Sequence, residues 1–464
     1  MTECNNQPML FSSLKRKKIQ ADFNGGQITS DAGALLLRET EQRIGLIDAI
    51  DACIKDPRDP DAITHTQRAM LAQRIMAIAL GYEDLNDHET LRNDPLLQVA
   101  TNRGVDDDQP LASTPTLWRL EDRVGHKAMV QIVEVFVEQF IASHATPPEH
   151  IILDFDATDD PLHGQQEGRF FHGYYDHYCY LPLYVFCGNQ LLVPYLRPSN
   201  IDAAKHSRAI LKLLVSRFRQ VWPDVRIVFR ADSGFCRWKL LRWCDRSGVY
   251  YIVGLPKNAV LERMAQPWTV PAEINYERTG DKQRLFGSIG YAAGTWDRSR
   301  RVIVKAEHSE GGPNPRFVVT NMPGDEQELY DDVYCQRGDM ENRIKEQQLG
   351  LFADRTSSQW FSTNQCRLLM SSAAYVLMET FRRLGLKDTD LANAQVSTIR
   401  TKLLKIGARV KASARRVVFH LASGYPLQDL FRRILIQLTL PISLTDPAPA
   451  DATGSTASLR SASP

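Results

Sequence analysis

The stretch Ile151-Ile-Leu-Asp-Phe-Asp-Ala-Thr-Asp-Asp160 predicts a buried strand that ends in carboxylates. Side chains alternate across a strand, so Asp154 and Asp156 share one face. Two carboxylates at the end of a buried strand repel each other, and a cation, a proton or an edge position relieves the repulsion. Mg²⁺ suits this role because it takes oxygen ligands and keeps water for a substrate. In the alternative interpretation, Asp159 and Asp160 cap the next element and Asp154 is exposed.

A mixed α/β arrangement is predicted around this strand. Two more strands follow at residues 178–186 and 190–196, joined at Gly188-Asn189, a dipeptide typical of hairpins. Beyond them helix and strand alternate, which favours a mixed sheet with helices packed on it. These later elements are a helix at 203–221, a strand at 225–231, a helix at 238–246 and a strand at 250–254.

The remaining chain divides by its sequence pattern into helical and β-rich segments. Residues 30–143 carry apolar side chains at helical spacing, and Pro147-Pro148 ends that region. Residues 262–315 combine Gly, Trp and Arg with short β-like runs, which predicts a β-rich insertion. A strand at 316–321, a long helix at 326–349, an apolar helix at 365–385 and a basic helical segment at 397–435 follow.

Four regions are therefore expected along the chain. They are a helical N-terminal region at 1–145, an α/β domain at 146–375, a basic helical region at 376–444 and a disordered tail at 445–464.

The composition of the 464 residues is that of an ordinary globular protein. Lys and Arg number 56 against 55 Asp and Glu, a net charge of +1, so any nucleic acid would be bound through local patches. No apolar run is long enough to span a bilayer, and none resembles a secretory signal, so no membrane association is expected. The eight cysteines form no Cys-x-x-Cys pair, which argues against a zinc finger and favours reduced thiols in the cytoplasm.

Two further acidic residues stand where they could join the first pair. Asp232 ends the strand in Arg230-Ala-Asp-Ser-Gly-Phe235, and the turn after it exposes the carboxylate, although such turns are common. Glu341 lies on the long helix, whose periodicity places it on one face with a tyrosine and two cationic residues, Tyr334, Arg337 and Lys345. Val333, Met340 and Ile344 form a neighbouring face that can pack on the sheet.

The three acidic positions suggest one reaction when they are taken together. Carboxylates at two strand ends and on an adjacent helix can converge on two Mg²⁺ ions, which stabilise the attacking and leaving oxygens in phosphodiester cleavage. Tyr334, Arg337 and Lys345 would then face phosphate. The alternative for the helix is an ordinary ladder of ion pairs on its surface.

Several segments resemble the DDE transposases of bacterial insertion sequences, in the 1380 group. The resemblance runs from about residue 20 to about residue 435. It is carried by residues 25–33 (GGQITSDAG), 81–87 (GYEDLND), 153–160 (LDFDATDD), 180–183 (YLPL), 229–235 (FRADSGF) and 343–352 (RIKEQQLGLF).

The resemblance implies an RNase H-like catalytic domain, interrupted by the β-rich insertion, with a triad of Asp156, Asp232 and Glu341. These three would hold two Mg²⁺ ions per site, with Mn²⁺ as a substitute, and Asp154 is the second choice for the first acid. A Tyr-Arg-Glu-Lys signature carries over as Tyr334, Arg337 and Glu341. Gln348 stands where its lysine is expected, and Lys345 is assigned in its place.

The implied activity is cleavage at transposon ends, followed by attack of the freed 3′-hydroxyl on target DNA. The implied partners are double-stranded DNA, as terminal inverted repeats and target, and a second subunit in a synaptic homodimer. The implied location is the bacterial cytoplasm, on the nucleoid. In related enzymes an aromatic residue of the insertion holds a flipped base; Trp268 and Trp296 are candidates by position, and packing in a small β-core is the alternative.

DNA binding is assigned to the N-terminal helical region and to two basic clusters, for which solvated surface is the alternative. The clusters are Lys15, Arg16, Lys17 and Lys18, and a C-terminal set that includes Arg409, Lys411, Arg415 and Arg416.

Three other functions compete with transposition. A haloacid dehalogenase-type phosphatase would use Asp154 as nucleophile in Asp-x-Asp-x-Thr, but the downstream Gly-Asp-x-x-x-Asp motif is missing, because Leu329 follows Gly324-Asp325 at that spacing. A DNA-binding protein without catalysis would bind the ends and not cut. A plain metal-dependent nuclease on the same fold would cut and not join.

Overall fold

A computed structural model describes residues 8–105 and 109–440. The expected disordered tail at 445–464 lies outside the described residues. The strands are β1 (Met9–Leu14), β2 (Lys17–Ala21), β3 (Ile28–Thr29), β4 (His150–Ala157), β5 (Asp160–Pro161), β6 (Phe170–His172), β7 (His177–Tyr180), β8 (Leu183–Cys187), β9 (Gln190–Tyr195), β10 (Arg226–Ala231), β11 (Tyr250–Leu255), β12 (Gln283–Tyr291), β13 (Arg300–Ser309), β14 (Gly312–Pro313), β15 (Arg316–Thr320), β16 (Ala408–Ser413) and β17 (Arg416–Leu421).

The helices are α1 (Leu35–Ile44), α2 (Leu46–Cys53), α3 (Gln67–Leu80), α4 (His88–Leu91), α5 (Pro95–Ala100), α6 (Thr114–Arg123), α7 (His126–Ala142), α8 (Ser207–Val221), α9 (Trp238–Arg246), α10 (Ala259–Met264), α11 (Gln266–Thr279), α12 (Glu326–Glu328), α13 (Gly338–Lys345), α14 (Phe361–Gly385), α15 (Val396–Ile399) and α16 (Gln428–Thr439). Within the described ranges, none is both long and apolar enough to cross a membrane.

One compact unit comprises residues 124–379 and is built on a mixed sheet. Its main strand order is β12-β13-β15-β11-β10-β4-β8-β9. Strands β4, β10 and β11 run parallel, β8 and β9 continue from β4 as antiparallel neighbours, and β15 is antiparallel to β11. The predicted mixed α/β fold is confirmed, with the strand arrangement of the RNase H-like core that the resemblance implies.

The alternation of β4 and β10 divides the interior of this unit into two apolar clusters. Leu153 and Phe229 point into the larger cluster, where side chains of α7, α8 and α9 pack. Ile152 and Val228 point into the smaller cluster, which Val333 and its neighbours cover. Asp154 and Asp156 belong to the same strand face as Ile152, so they lie on the side of the smaller cluster.

The insertion begins with helices, which corrects the prediction for its first part. Residues 262–315 were expected to be β-rich, but α10 and α11 occupy Ala259–Met264 and Gln266–Thr279. Helix α11 begins with a proline in its first turn and contains Pro271, and these prolines hid the helical pattern. The β-rich remainder, β12 to β14, extends the main sheet beyond β15.

The predicted long helix at 326–349 is present but irregular. It continues from α12 through a π-helical turn at Leu329–Tyr334, here called the wide turn, and a 3-10 turn at Cys335–Arg337 into α13. It then ends in a second π-helical turn at Glu346–Gly350. Single π-helical turns within a helix are frequent at functional sites. The predicted packing face is confirmed, because Val333, Met340 and Ile344 are all buried.

A second unit comprises the described residues up to 123 together with 380–440. Segments expected to be separate terminal regions thus contribute to one unit. Strand β3 pairs with β16, and the Gly33 backbone lies so close to Leu403 that a Cβ there would sit 1.8 Å from its carbonyl oxygen.

The C-terminal segment at 397–435 is not helical throughout, as had been predicted. Residues 408–421 form the hairpin of β16 and β17. Ala408 and Val410 are buried while Arg409 and Lys411 are exposed, an alternation with the period of a strand. The basic residues therefore occupy one strand face and the hairpin turn.

Candidate active site

Asp154 is buried and paired with an arginine on the neighbouring strand. Arg230 stands directly beside it in the parallel register of β4 and β10. Its Nε donates to Asp154 Oδ1 at 2.5 Å and its Nη2 to Oδ2 at 2.7 Å. Asp154 is 2% exposed, so the interpretation in which it is exposed is wrong. Both oxygens are committed to a guanidinium, which leaves Asp154 poorly placed to act as a ligand or nucleophile.

Arg230 also ties the sheet to the irregular helical segment. Its Nη1 donates to the Val333 carbonyl at 2.5 Å, inside the wide turn. The next residue, Tyr334, places its hydroxyl over Gly254, where a Cβ would lie 2.6 Å from Oη. The backbone of Asp232 and Ser233 lies against the same glycine. Gly254 therefore lets the tyrosine and the second acidic turn approach each other.

Asp156 lies two residues further along β4, at the end of the strand. Its Oδ1 accepts from the Ala157 amide at 2.9 Å, and its Oδ2 lies 3.6 Å from Arg337 Nη1. The pKa of the Asp156 carboxyl is raised to about 7, mainly by burial and also by the charges of Asp232 and Glu341, while Arg337 and the Ala157 amide lower it. A pKa this far above the usual value means that the folded protein disfavours the charged form of this carboxyl.

Asp232 and Glu341 reach the same region from two other elements. Asp232 begins the turn after β10, and its Oδ1 accepts from the Gly234 amide at 2.9 Å. Glu341 lies on α13, where its Oε1 accepts from Arg337 Nη2 at 2.8 Å. The charges of Asp232 and Glu341 both raise the pKa of Asp156, so each acts on it electrostatically, and their joint role as a catalytic triad stays a prediction.

The chemistry of these donors fits a hard divalent cation, although their present arrangement does not yet form a binding site. Arg337 is paired with two of the three carboxylates, Asp156 and Glu341. Burial is the main cause of the raised pKa of Asp156, and the charges of Asp232 and Glu341 add to it. Oxygen donors with excess negative charge are what Mg²⁺ and Mn²⁺ prefer. Across the parts of the chain that the structure describes, no three His, Cys, Asp or Glu side chains stand in ligand geometry.

The other residues predicted for this site differ in their surroundings. Tyr334 is packed, and burial raises its pKa. Arg337 bridges two carboxylates, whereas Lys345 is exposed. Gln348, at the position where a lysine was expected, donates to the Asp159 carbonyl at 3.0 Å, beside the end of β4.

A small sheet beside the acids was missed in the sequence. Strands β5, β7 and β6 form it from the chain that connects β4 to β8, for which no strand was predicted before residue 178. Tyr175, between β6 and β7, donates from its hydroxyl to the Ala157 carbonyl at 3.4 Å. His177 Nε2 lies 2.8 Å from Asp159 Oδ2. The closely spaced aromatic residues at 170–180 were a detectable strand pattern.

The tryptophans suggested for holding a base are packed within the insertion. The indole of Trp268 covers Gly287, where a Cβ would lie 2.0 Å from the ring. Trp296 packs edge-to-face on Tyr291 at 5.5 Å and lies under the Arg300 guanidinium. Their surroundings favour the core-packing alternative.

Both basic clusters predicted to bind DNA are exposed in the second unit. Lys15, Arg16, Lys17 and Lys18 lie at the turn of the β1–β2 hairpin and on β2. Arg409 and Lys411 point outward from β16, and Arg415 and Arg416 follow at the turn. Their accessibility is compatible with phosphate contact and does not test it.

Comparison with known proteins identifies a family and a similar solved structure. Residues 11–441 match the family described as "Transposase DDE domain group 1". The cryo-EM structure of a piggyBac transposase synaptic complex with hairpin DNA is similar over 89% of this chain and 83% of that chain, at 11% identity and a TM-score of 0.38. No curated protein matches the sequence.

Proposed function

The chain belongs to the family of transposase DDE domains, group 1, and we propose that it cleaves DNA at transposon ends and joins the 3′-ends to target DNA. The observation that supports this proposal is that the charges of Asp232 and Glu341 both act on the Asp156 carboxyl. The three carboxylates belong to two strand ends and a helix, and Arg337 is paired with two of them. Phosphodiester transfer needs such a cluster of oxygen donors.

The proposed roles follow from the contacts of each residue. Asp156, Asp232 and Glu341 would hold two Mg²⁺ or Mn²⁺ ions, which would polarise the phosphate and activate the attacking oxygen. Arg337, already between two of the carboxylates, is placed to contact a phosphate. Asp154 has a different role, because Arg230 occupies both of its oxygens.

The proposed partners are double-stranded DNA and a second copy of the chain in a synaptic dimer. The exposed clusters at 15–18 and 409–416 supply local positive charge for backbone phosphates, although the net charge of the chain is only +1. We also propose that the protein acts in the bacterial cytoplasm, on the nucleoid, and that it belongs to the 1380 group of insertion-sequence transposases.

The test is cleavage and strand transfer on DNA that carries the element's inverted repeats, with Mg²⁺. We expect Asp156→Ala, Asp232→Ala and Glu341→Ala each to lose at least about 100-fold in cleavage. Glu310→Ala, which removes an exposed carboxylate at a distant turn, is the matched control and stays active. EDTA abolishes cleavage, and added Mg²⁺ or Mn²⁺ restores it.

The products separate the competing functions. Cut ends without joined product identify a nuclease, and bound ends without cutting identify a DNA-binding protein. Activity that survives all three substitutions would refute the assigned triad.

A further inference from the structure

An unusual concentration of exposed aromatic side chains lies beside the acids. The segment of residues 170–180, here called the aromatic hairpin, comprises β6, β7 and the loop between them. Tyr174 is 86% exposed and Phe171 is 53% exposed, while Phe170 and Tyr178 are each more than 40% exposed. Clustered exposure of large apolar rings marks a binding surface rather than scattered surface residues.

The rings are held in place by contacts on the hairpin itself. Phe171 and Tyr178 face each other across the strands and meet edge-to-face at 5.6 Å. The Arg169 guanidinium lies 3.9 Å from the centre of the Tyr178 ring. Tyr174 leans edge-to-face on Tyr175 at 5.0 Å. The flat surfaces are therefore ordered before anything binds, and a cation lies among them.

The opposite side of the hairpin is attached to the strand that carries the first acid. Tyr175 contacts the Ala157 carbonyl, and His177 contacts Asp159. Ala157, the residue that Tyr175 contacts, directly follows Asp156 in the chain. The hairpin that carries the exposed rings is therefore anchored to the end of β4, the strand that bears Asp156.

The chemistry of this surface favours bases as its occupant. Aromatic rings and a guanidinium provide stacking faces that accept any base, next to carboxylates proposed to act on the backbone of the same strand. The tryptophans of the insertion are packed in its own core. We propose that the aromatic hairpin stacks unpaired nucleobases of the DNA strand that enters the carboxylate site. This inference rests on the proposed function and adds a base-binding surface to it.

The test uses a fluorescein-labelled single-stranded 12-mer of mixed sequence, and the same strand with its central bases replaced by abasic sites. Both probes carry the same backbone charge, so their difference in affinity isolates stacking. Fluorescence anisotropy on the full chain, without divalent ions, should show at least about tenfold tighter binding of the intact strand.

Variants assign that difference to particular rings. Tyr174→Leu and Phe171→Leu should each remove most of the preference for the intact strand, and Tyr174→Trp should keep it. Phe23→Leu, which changes an aromatic side chain that is 95% exposed in the other unit, is the matched control and should behave as wild type.

Two results would overturn the proposal. One is equal affinity of the wild type for intact and abasic strands. The other is an unchanged preference in Tyr174→Leu together with a changed oligomeric mass in light scattering, which would assign the rings to a protein contact. A base-dependent affinity that the leucine variants lose supports stacking even if the end-cleavage assay fails, so the two proposals can fail separately.

Discussion

Replacing Arg230 with methionine should strongly destabilise the unit of residues 124–379. The substitution removes both hydrogen bonds to the buried Asp154 and the one to the Val333 carbonyl. Breaking one side of a buried ion pair costs about 3–5 kcal/mol, because the remaining charge stays without a partner. For a unit of this size, about 2 °C is lost per kcal/mol, so we expect the melting temperature to fall by roughly 6–10 °C. Differential scanning calorimetry measures this shift.

The loss of stability in Arg230→Met should be larger at high pH than at low pH. Burial already raises the pKa of Asp154 above its usual range, and Arg230 is the largest influence that lowers it. Without the arginine, the folded state holds a proton that the unfolded chain releases near pH 4. Stability then falls as pH rises from there towards the raised pKa. The variant should therefore lose more relative to wild type at pH 8 than at pH 5.

A double variant separates stability from positioning. Asp154→Leu combined with Arg230→Met replaces the buried pair with apolar side chains, which is often neutral for stability. It should recover most of the lost melting temperature, yet the Val333 carbonyl still lacks its donor. We expect cleavage to stay at least about tenfold reduced with end binding unchanged, because that tie positions the segment bearing Glu341. A single variant as stable as wild type, or an equal deficit at pH 5 and pH 8, would refute this reasoning.

Two further predictions concern the same edge of the sheet. Gly254→Ala should cost about 1–3 kcal/mol in urea unfolding and reduce cleavage, because the added methyl meets Tyr334 Oη at 2.6 Å and the Ser233 amide nitrogen at 2.8 Å. Affinity for Mn²⁺, measured by calorimetry, should fall roughly tenfold per pH unit below pH 7, since Asp156, with its pKa of about 7, must lose its proton to bind.

Each of these predictions has its own control and its own contrary outcome. Gly294→Ala adds a methyl into open space and should leave stability and cleavage unchanged. If Gly254→Ala also left stability and cleavage unchanged, the close approach of Tyr334 to Gly254 would not be needed. A flat Mn²⁺ affinity between pH 5.5 and 7 would show that Asp156 is not a ligand.

The sheet could be predicted because its strands are short apolar runs between clear turns. The helix predicted at 238–246 matches α9, and the strand predicted at 225–231 differs from β10 by one residue. The hairpin at 408–421 was missed although its alternation was visible, because a basic composition next to helical segments suggested one more helix. Helix α11 was missed because proline is usually interpreted as a helix breaker. A proline in the first turn is nevertheless compatible with a helix.

The site could be predicted only as a set of residue types. Strand alternation placed two carboxylates on one face, and the helix pattern joined Arg337 to Glu341, which are in contact at 2.8 Å. The partner of Asp154 could not be predicted, because the parallel register that sets Arg230 beside it depends on how distant segments align. The contact of Tyr334 with Gly254 likewise depends on the wide turn in the helical segment.

The contrast between Asp154 and Asp156 leads to a final prediction. Both carboxylates lie on one face of β4, but a guanidinium of the neighbouring strand binds both oxygens of the first, whereas the second has only a longer contact with Arg337 and is affected by the charges of two other acids. Asp154→Asn should therefore destabilise the protein at pH 8, because it weakens a matched pair. Asp156→Asn should stabilise the metal-free protein there by about 4 kcal/mol and by less than about 1 kcal/mol at pH 4. The reason is that the folded carboxyl, with its pKa of about 7, carries a penalty that develops only as pH rises from about 4 to 7. Urea unfolding of both variants at the two pH values measures this. If Asp156→Asn were destabilising at pH 8, Asp156 would be a satisfied structural carboxylate, and the excess negative charge on which its proposed catalytic role depends would not exist.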